Sequence, residues 1–149
     1  MFFFYNYLGD YMRTFYIFKI KKYLAILANN HPYLLYKTIE NIYNLKESQV
    51  SEGIAKFRRI KDNFNEYTVN NNLFNYYKNK PSYTNFKNVH MINDFFSEER
   101  TKLIVNRTFL VIRTNEEIPT FLKTMKHNNN LFVCDFINKD YFWLNQIRG

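Results

Sequence analysis

Glycine most constrains what this chain can fold into, because only three of its 149 residues are glycine. Gly9, Gly53 and Gly149 lie far apart, so no segment has the closely spaced glycines that bring backbone N–H groups against a phosphate. The sequence therefore contains neither a Walker loop nor a Rossmann fingerprint. Its turns must use other residues that tolerate the left-handed region, and asparagine is the commonest of these.

The cysteine and histidine residues indicate no catalytic or metal chemistry. Cys134 is the only cysteine, which rules out an internal disulfide and a zinc site built from several thiolates. Its position within "LFVCDF" predicts a small buried side chain. His31, His90 and His127 show no metal-ligand spacing. Because no nucleophile, base or carboxylate pair has a diagnostic spacing either, we expect no catalytic residues, no metal, no cofactor and no enzymatic activity.

Charge and aromatic content favour an anionic partner. The net charge is +8, and 20% of the residues are aromatic. Such a chain suits nucleic acid or an acidic membrane face. The same composition also arises when an AT-rich genome encodes many Phe, Tyr, Asn, Ile and Lys residues, so both explanations remain open.

Residues 1–30 form an aromatic, basic segment that we expect to be a helical extension. A weak helical spacing relates Phe15, Phe18, Lys22 and Ala25. The segment is too interrupted to span a bilayer and lacks the features of a secretory signal or mitochondrial presequence. It is expected to pack on the domain, contact a partner or lie in a membrane interface. The charged residues that interrupt it are Asp10, Arg13, Lys19, Lys21 and Lys22.

Residues 31–149 are predicted to form one α/β domain, specifically an α/β (α+β) sandwich. We expect a mixed sheet of about four strands with helices packed on it. The predicted strands are residues 33–39, 64–69, 107–114 and 131–137. The predicted helices are residues 44–63, with Ser48 as N-cap, 73–79, and 115–130, with Asn115 as N-cap. Asn70–Asn72 is predicted to be a turn, and residues 80–106 give a blurred pattern.

In this order, the segments resemble the globular domain of the ribosomal stalk-base protein family, which comprises large-subunit protein ten, its mitochondrial forms and the P-zero proteins. In "GIAKFRRIKDN", Phe57 and Arg58 stand at the place of the family's Leu-Arg pair. In "TVNNNLF", Asn71 and Leu73 match the family's Asn and Leu after a strand. The resemblance covers roughly residues 32–147.

The sequence departs from that family at several positions. Asn70 replaces a basic residue, and Asn106 replaces a glycine before the retained Thr108. Cys134 and Asp135 replace paired glycines. The family's long C-terminal helix, which carries dimers of the acidic stalk protein, has no counterpart. The resemblance therefore implies that a separate stalk-spine polypeptide supplies that helix, or that the stalk has been lost or rebuilt.

The resemblance implies a structural protein of the large mitochondrial ribosomal subunit. It would bind large-subunit rRNA and neighbouring ribosomal proteins at the stalk base, near the GTPase-associated region, and take no small-molecule substrate. Amides and cations would contact phosphates and 2′-hydroxyl groups. A solvated turn on a polar face explains the same stretch without RNA. The candidate RNA-binding residues are Arg58, Arg59, Lys61, Asn70, Asn71, Asn72, Lys78 and Lys80.

The alternative function is an accessory subunit of a mitochondrial inner-membrane respiratory complex. Its aromatic N-terminus would be a membrane-contact helix, and its cations would face anionic headgroups. Both interpretations expect a mitochondrial protein, located on the matrix ribosome in the first case. The residue usage and the lack of a presequence indicate a gene encoded inside the organelle.

Overall fold

The computed structural model describes residues 13–147, which contain eight strands and five α-helices. The strands are β1 Arg13–Ile20, β2 Lys61–Asp62, β3 Tyr83–Phe86, β4 Val89–Asn93, β5 Arg100–Val105, β6 Leu110–Thr114, β7 Leu131–Asp135 and β8 Asp140–Trp143. The α-helices are α1 Lys22–Ala28, α2 Pro32–Tyr43, α3 Val50–Ile60, α4 Glu66–Tyr77 and α5 Thr120–Met125. Short 3-10 helices span Glu47–Gln49 and Leu144–Gln146.

β1 lies inside one sheet in which the paired strands are antiparallel. The strand order is β3-β4-β5-β6-β1-β7-β8, and β2 pairs separately with β1. β6 pairs with Arg13–Ile17 on one edge of β1, and β7 pairs with Tyr16–Lys19 on the other. β2 pairs with Lys19 and Ile20, so it continues the β6 side of β1. The predicted mixed sheet of four strands is wrong.

β1 is buried on both of its faces. Phe15 and Ile17 face one core, whereas Tyr16, Phe18 and Ile20 face the other, and none is more than 5% exposed. A strand covered on both sides is apolar almost without interruption, and aromatic and β-branched residues suit it. The predicted N-terminal helical extension is therefore wrong where β1 lies, although α1 follows at once. Residues 1–12 lie outside the described part of the chain.

Helices cover both faces of the sheet and form two cores. α4 and α5 pack on the face of Phe15 and Ile17, where they bury Leu73, Tyr77 and Phe121. α1, α2 and α3 pack on the opposite face. Their buried side chains are Ala25 from α1, Leu35, Tyr36 and Ile39 from α2, and Ile60 from α3.

The segment predicted as a first strand, residues 33–39, is part of α2. Pro32 occupies the first helical turn, where its missing N–H is not needed. Leu35, Tyr36 and Ile39 are buried at a helical spacing, and the carboxylate of buried Glu40 accepts from the Tyr36 hydroxyl at 2.7 Å. The spacing of the buried residues therefore makes this segment a helix, although its apolar content alone is equally compatible with a strand.

The stretch predicted as strand, turn and helix at residues 64–79 is largely the single helix α4. Asn65 caps it by accepting a hydrogen bond from the Thr68 backbone N–H at 3.0 Å. Asn70–Asn72 lies in the helix interior and is not a turn. Asparagine is a weak helix former, so we attribute the helix to burial of Leu73 and Tyr77, four residues apart on one side.

Three strands, β3, β4 and β5, occupy the region that gave no clear pattern. They are short, and β3 exposes three of its four residues, so its alternating pattern is weak. Among the residues that the structure describes, the prediction that asparagine supplies the left-handed turns holds only at Asn130. Within residues 13–147, the other non-glycine residues with positive φ are Lys87, Glu98 and Lys139.

Three other predicted elements are confirmed with shorter bounds. α3 lies within the predicted helix, but its N-cap is Gln49 and not Ser48. β6 and β7 form where predicted, and Cys134 is fully buried. The predicted helix at 115–130 is reduced to α5, because Asn115 instead accepts from the Arg100 N–H and donates to the Glu98 carbonyl.

The helical assignment of the asparagines predicts opposite effects for two similar substitutions. Asn65→Ala removes the N-cap of α4 and should lower the free energy of unfolding by about 1 kcal/mol. Asn72→Ala replaces an exposed residue inside α4 and should raise it by roughly 0.5 kcal/mol, because alanine is the better helix former. Urea denaturation measures both values, and a loss of stability in Asn72→Ala would contradict the helix.

Candidate functional site

His90 is the most enclosed titratable group of the α4 face, and its contacts are fully internal. Its ring Nδ1 lies 2.7 Å from the Tyr83 hydroxyl, and its Nε2 lies 2.7 Å from Asn70 Oδ1. Since Asn70 Oδ1 is an acceptor, Nε2 carries the proton and Nδ1 accepts. Burial lowers the pKa of His90 to about 4 and raises the pKa of Tyr83 to about 12. His90 joins the β3–β4 hairpin to α4 and has no exposed surface, which indicates a structural role.

Two further polar clusters, one buried around Glu99 and one partly buried around Arg13, are also structural. Glu99 accepts from the Thr101 hydroxyl at 2.7 Å and from the Thr120 hydroxyl at 2.5 Å, which attaches α5 to the sheet. Arg13 donates to Asp135 at 3.0 Å and to Asp140 at 2.6 Å, which joins β1 to the β7–β8 hairpin. Each group is paired with partners from neighbouring elements. In residues 13–147, no group of three or more His, Cys, Asp or Glu side chains is placed to hold a metal ion.

α1 presents an apolar face to solvent, which we call the α1 face. Tyr23, Ile26 and Leu27 are 60%, 69% and 68% exposed. Their spacing of three and four residues places them on one side of the helix. Ala25 is buried against the sheet. Exposed large apolar residues gathered on one rigid element mark an interaction surface more often than scattered ones do.

The exposed apolar surface continues along the chain from α1 into α2. Tyr33 and Leu34, in the first turn of α2, are also more than half exposed. Other exposed aromatic residues, such as Phe95 and Phe96, lie in the β4–β5 loop. No helix within residues 13–147 has both the length and the hydrophobicity needed to cross a membrane.

A groove of about 690 Å³ lies beside the start of α1, and we call it the cationic groove. Four cations line it, namely Lys21, Arg58, Lys61 and Arg107, together with the carboxylate of Asp62. Its remaining walls are Ile54, Phe57, Asn63, Thr108 and Phe109. The groove adjoins the α1 face, because Lys21 directly precedes α1 and the Tyr23 hydroxyl donates to the Arg59 carbonyl at 3.2 Å.

Lys61 lies in the most enclosed part of the cationic groove. It is only 5% exposed, and its Nζ donates to Asn63 Oδ1 at 2.7 Å and lies 5.3 Å from the centre of the Phe57 ring. Burial, followed by the charges of Arg107 and Arg58, lowers the pKa of Lys61. The neighbouring cations therefore repel this ammonium group, as expected where positive charge is concentrated without enough negative charge.

The structure separates the residues that the sequence grouped as one binding surface. Arg58 and Lys61 line the cationic groove, and Arg59 is exposed beside them. Asn70, Asn71 and Asn72 lie on α4, on the other face of the sheet, where Asn70 holds His90. Lys78 and Lys80 follow α4, and the Lys80 Nζ lies 4.6 Å from the Tyr76 ring centre. Within α4, Tyr77 is buried, whereas Tyr76 is exposed.

Sequence reasoning missed several residues of these surfaces. Tyr23, Ile26 and Leu27 carry a detectable signal, because apolar residues three and four positions apart follow a cationic pair. Lys21 and Arg107 carry none. They are brought to Lys61 by backbone hydrogen bonds, from the Lys21 N–H to the Ile60 carbonyl at 2.9 Å and from the Phe64 N–H to the Arg107 carbonyl at 2.7 Å.

The fold and its surfaces define a class of small α/β domain that has an antiparallel sheet between two helical layers and an exposed apolar helix beside a cationic groove. The family model described as "Sporulation inhibitor of replication protein SirA" matches residues 13–148. Because the match covers more than half of the chain, the chain belongs to the SirA family. No curated protein matches it.

Family membership corrects the interpretations based on the ribosomal resemblance. SirA is a bacterial family unrelated to the stalk-base proteins, so that resemblance is wrong. The predicted function in a mitochondrial ribosome and the alternative in a respiratory complex are wrong for the same reason. The predicted partners, rRNA, stalk-base ribosomal proteins and a stalk-spine polypeptide, and the mitochondrial localisation are also wrong.

The buried neutral histidine predicts a stability that depends on pH. His90 has a pKa of about 4 in the folded chain, compared with the ordinary value of 6.5, so the unfolded chain binds more protons between these values. The free energy of unfolding should therefore be highest above pH 6.5 and fall by up to ~3 kcal/mol as the pH approaches 4.

Urea denaturation across this pH range measures the effect, with two variants for comparison. His90→Gln should be less stable at neutral pH but should lose most of this dependence, because glutamine does not titrate. His31→Gln alters an exposed histidine and should keep it. An unchanged pH dependence in His90→Gln would show that other groups cause it.

Proposed function

We propose that this chain is a non-catalytic inhibitor of DNA replication that acts during sporulation by binding a protein of the replication machinery through the α1 face. The family description supplies the process, inhibition of replication in sporulation. The observation that carries the mode of action is the exposure of Tyr23, Ile26 and Leu27 on one side of a helix. Inhibition then requires only occupation of a surface that replication needs.

The α1 face suits a protein partner better than a small ligand. It is convex, since it is the outer side of a helix packed on a sheet, whereas small-molecule sites are concave. Burying three large apolar side chains contributes roughly 1.5–3 kcal/mol each. Their sum offsets a large part of the cost of association, which is about 4–15 kcal/mol, and contacts around the α1 face supply the remainder. The aromatic ring of Tyr23 supplies the kind of anchor that binding hot spots favour.

The backbone of α1 is fixed to the rest of the fold, which lowers the entropy cost of binding a partner through the α1 face. Ala25 is the buried residue on the inner side of α1, and its backbone N–H donates to the Lys21 carbonyl at 2.9 Å. The Lys21 N–H in turn donates to the Ile60 carbonyl at the end of α3. A preorganised surface loses little conformational entropy on binding. The buried groups with shifted pKa values, His90 and Cys134, have no exposed surface and take no part in the proposed action.

The proposal predicts that inhibition depends on the α1 face. Production of the chain in growing cells of a sporulating bacterium should lower the ratio of origin to terminus DNA, measured by quantitative PCR. Ile26→Ser with Leu27→Ser should restore the ratio, because the substitutions remove about 3 kcal/mol or more of apolar contact and weaken binding at least 100-fold.

The matched control is Phe95→Ser with Phe96→Ser, which replaces two adjacent exposed apolar residues in the β4–β5 loop. This variant should inhibit as strongly as the original chain. Because the substituted side chains are exposed, both variants should unfold at the same temperature as the original chain. The comparison also requires that all three proteins are present in equal cellular amounts. Full inhibition by the α1 variant, or equal loss in both variants, would contradict the assignment of the α1 face.

A further inference from the structure

The cationic groove is assembled from three separate segments that the backbone fixes in place. Lys21 follows β1, Arg58 and Lys61 lie at the end of α3 and in β2, and Arg107 lies between β5 and β6. β2 pairs with β1 at Ile20 and Lys61. The Phe64 N–H donates to the Arg107 carbonyl at 2.7 Å. The fold itself therefore brings the four cations together, and no bound ligand is needed to hold their backbone segments in place.

Positive charge in the groove is not balanced by neighbouring carboxylates. The ion pairs of Arg13, Lys37 and Lys56 lie outside the groove, and within the described part of the chain no ion pair involves one of its four cations. Of the described carboxylates, Asp62 alone lines it. The C-terminus of α3 adds about half a negative charge. Together these offset fewer than two of the four cations, so the groove retains a clear positive potential.

The degree of exposure of the cations suits an extended anion. Lys61 is buried at the base, Lys21 is partly buried, and Arg58 and Arg107 are exposed. The two guanidinium groups at the rim are able to hold phosphate oxygens in pairs, whereas Lys61 supplies a point charge beneath them. Because two of the cations remain accessible, the groove is open to a polymer that passes over it.

We propose that the cationic groove binds the phosphodiester backbone of double-stranded DNA. A duplex carries about one negative charge per 1.7 Å of its axis. Two neighbouring phosphates would therefore neutralise most of the excess positive charge at the rim and the base of the groove. A protein carboxylate brings a single charge and would leave most of the groove unbalanced. The contact reads no sequence, since it reaches only phosphates.

The choice of DNA over other polyanions rests on the proposed function, because an inhibitor of replication acts where duplex DNA is present. The groove adjoins the α1 face through Lys21 and through the hydrogen bond between Tyr23 and Arg59. The two surfaces thus allow one molecule to hold its protein partner and nearby DNA together. Contact with DNA would raise the local concentration of the inhibitor at its target.

Fluorescence anisotropy with a short labelled duplex of arbitrary sequence tests the proposal. The purified chain should bind with a dissociation constant on the order of 10⁻⁵ M at moderate salt. Affinity should fall linearly on logarithmic axes as salt increases. Arg58→Gln with Arg107→Gln should weaken binding by about tenfold or more and reduce the salt slope by roughly 2, one for each lost phosphate contact. Lys61 is left in place because it is buried.

The matched control is Lys78→Gln with Lys123→Gln, which removes the same net charge from exposed positions on the α4 and α5 side. It should weaken binding less than threefold or so, because diffuse charge contributes only a screened attraction. Equal loss in both double variants would overturn the proposal, since net charge alone would then explain binding. Absence of duplex binding by the original chain at low salt would overturn it too.

The α1 variant separates this proposal from the proposed function. Ile26→Ser with Leu27→Ser keeps every cation and should bind the duplex with the affinity of the original chain. If that variant and the original inhibit replication equally while the groove variant loses DNA binding, the α1 assignment fails and the groove assignment stands. If the groove variant binds DNA normally but loses inhibition, the cations serve a protein partner, and the DNA proposal fails.

Discussion

Burial of β1 on both faces and along both edges is the constraint on which the rest of the structure depends. Its odd-numbered side chains from Phe15 to Ile17 form the floor of the α4–α5 core, and its even-numbered ones form the floor of the other core. β6 and β7 satisfy its backbone. Where β1 ends, the Ile20 N–H donates to the Asn130 carbonyl at 2.8 Å, and the Lys21 N–H donates to the Ile60 carbonyl. The end of β1 thereby fixes the start of α1 and one side of the cationic groove.

The sequence was informative where one structural period dominated. α3 has an amphipathic pattern with acidic residues early and Arg58 and Arg59 late, and it was predicted correctly. β6 and β7 are short apolar runs and were also predicted. β1 was misread because a strand buried on both faces shows no alternation, and its aromatic residues happened to fall at a helical spacing. α4 was misread because three consecutive asparagines indicate a turn locally, whereas the burial of Leu73 and Tyr77 is a tertiary effect.

The same two misread segments explain why a ribosomal family seemed to fit. The resemblance depended on the order of strands and helices, yet residues 33–39 and most of residues 64–69 are helical. Short asparagine and lysine motifs then matched because such residues are abundant throughout this chain. Two of the four cations of the groove, Arg58 and Lys61, could be grouped from the sequence, since they are three residues apart. Lys21 and Arg107 were not, because only the pairing of β1 with β2 and the Phe64–Arg107 hydrogen bond bring them there.

The position of β1 also determines when this protein is able to fold. β6 and β7, which pair with most of its length, follow it by roughly one hundred residues of chain, and only the two-residue β2 comes earlier. During synthesis, a strand with five core side chains must therefore wait in the nascent polypeptide until most of the sequence has emerged from the ribosome. Bringing β1 together with β6 and β7 closes a long loop, and the entropy cost of closing it must be met before the contacts between these strands form. Such a topology favours slow, late and cooperative folding, and it makes the growing chain a natural client for chaperones.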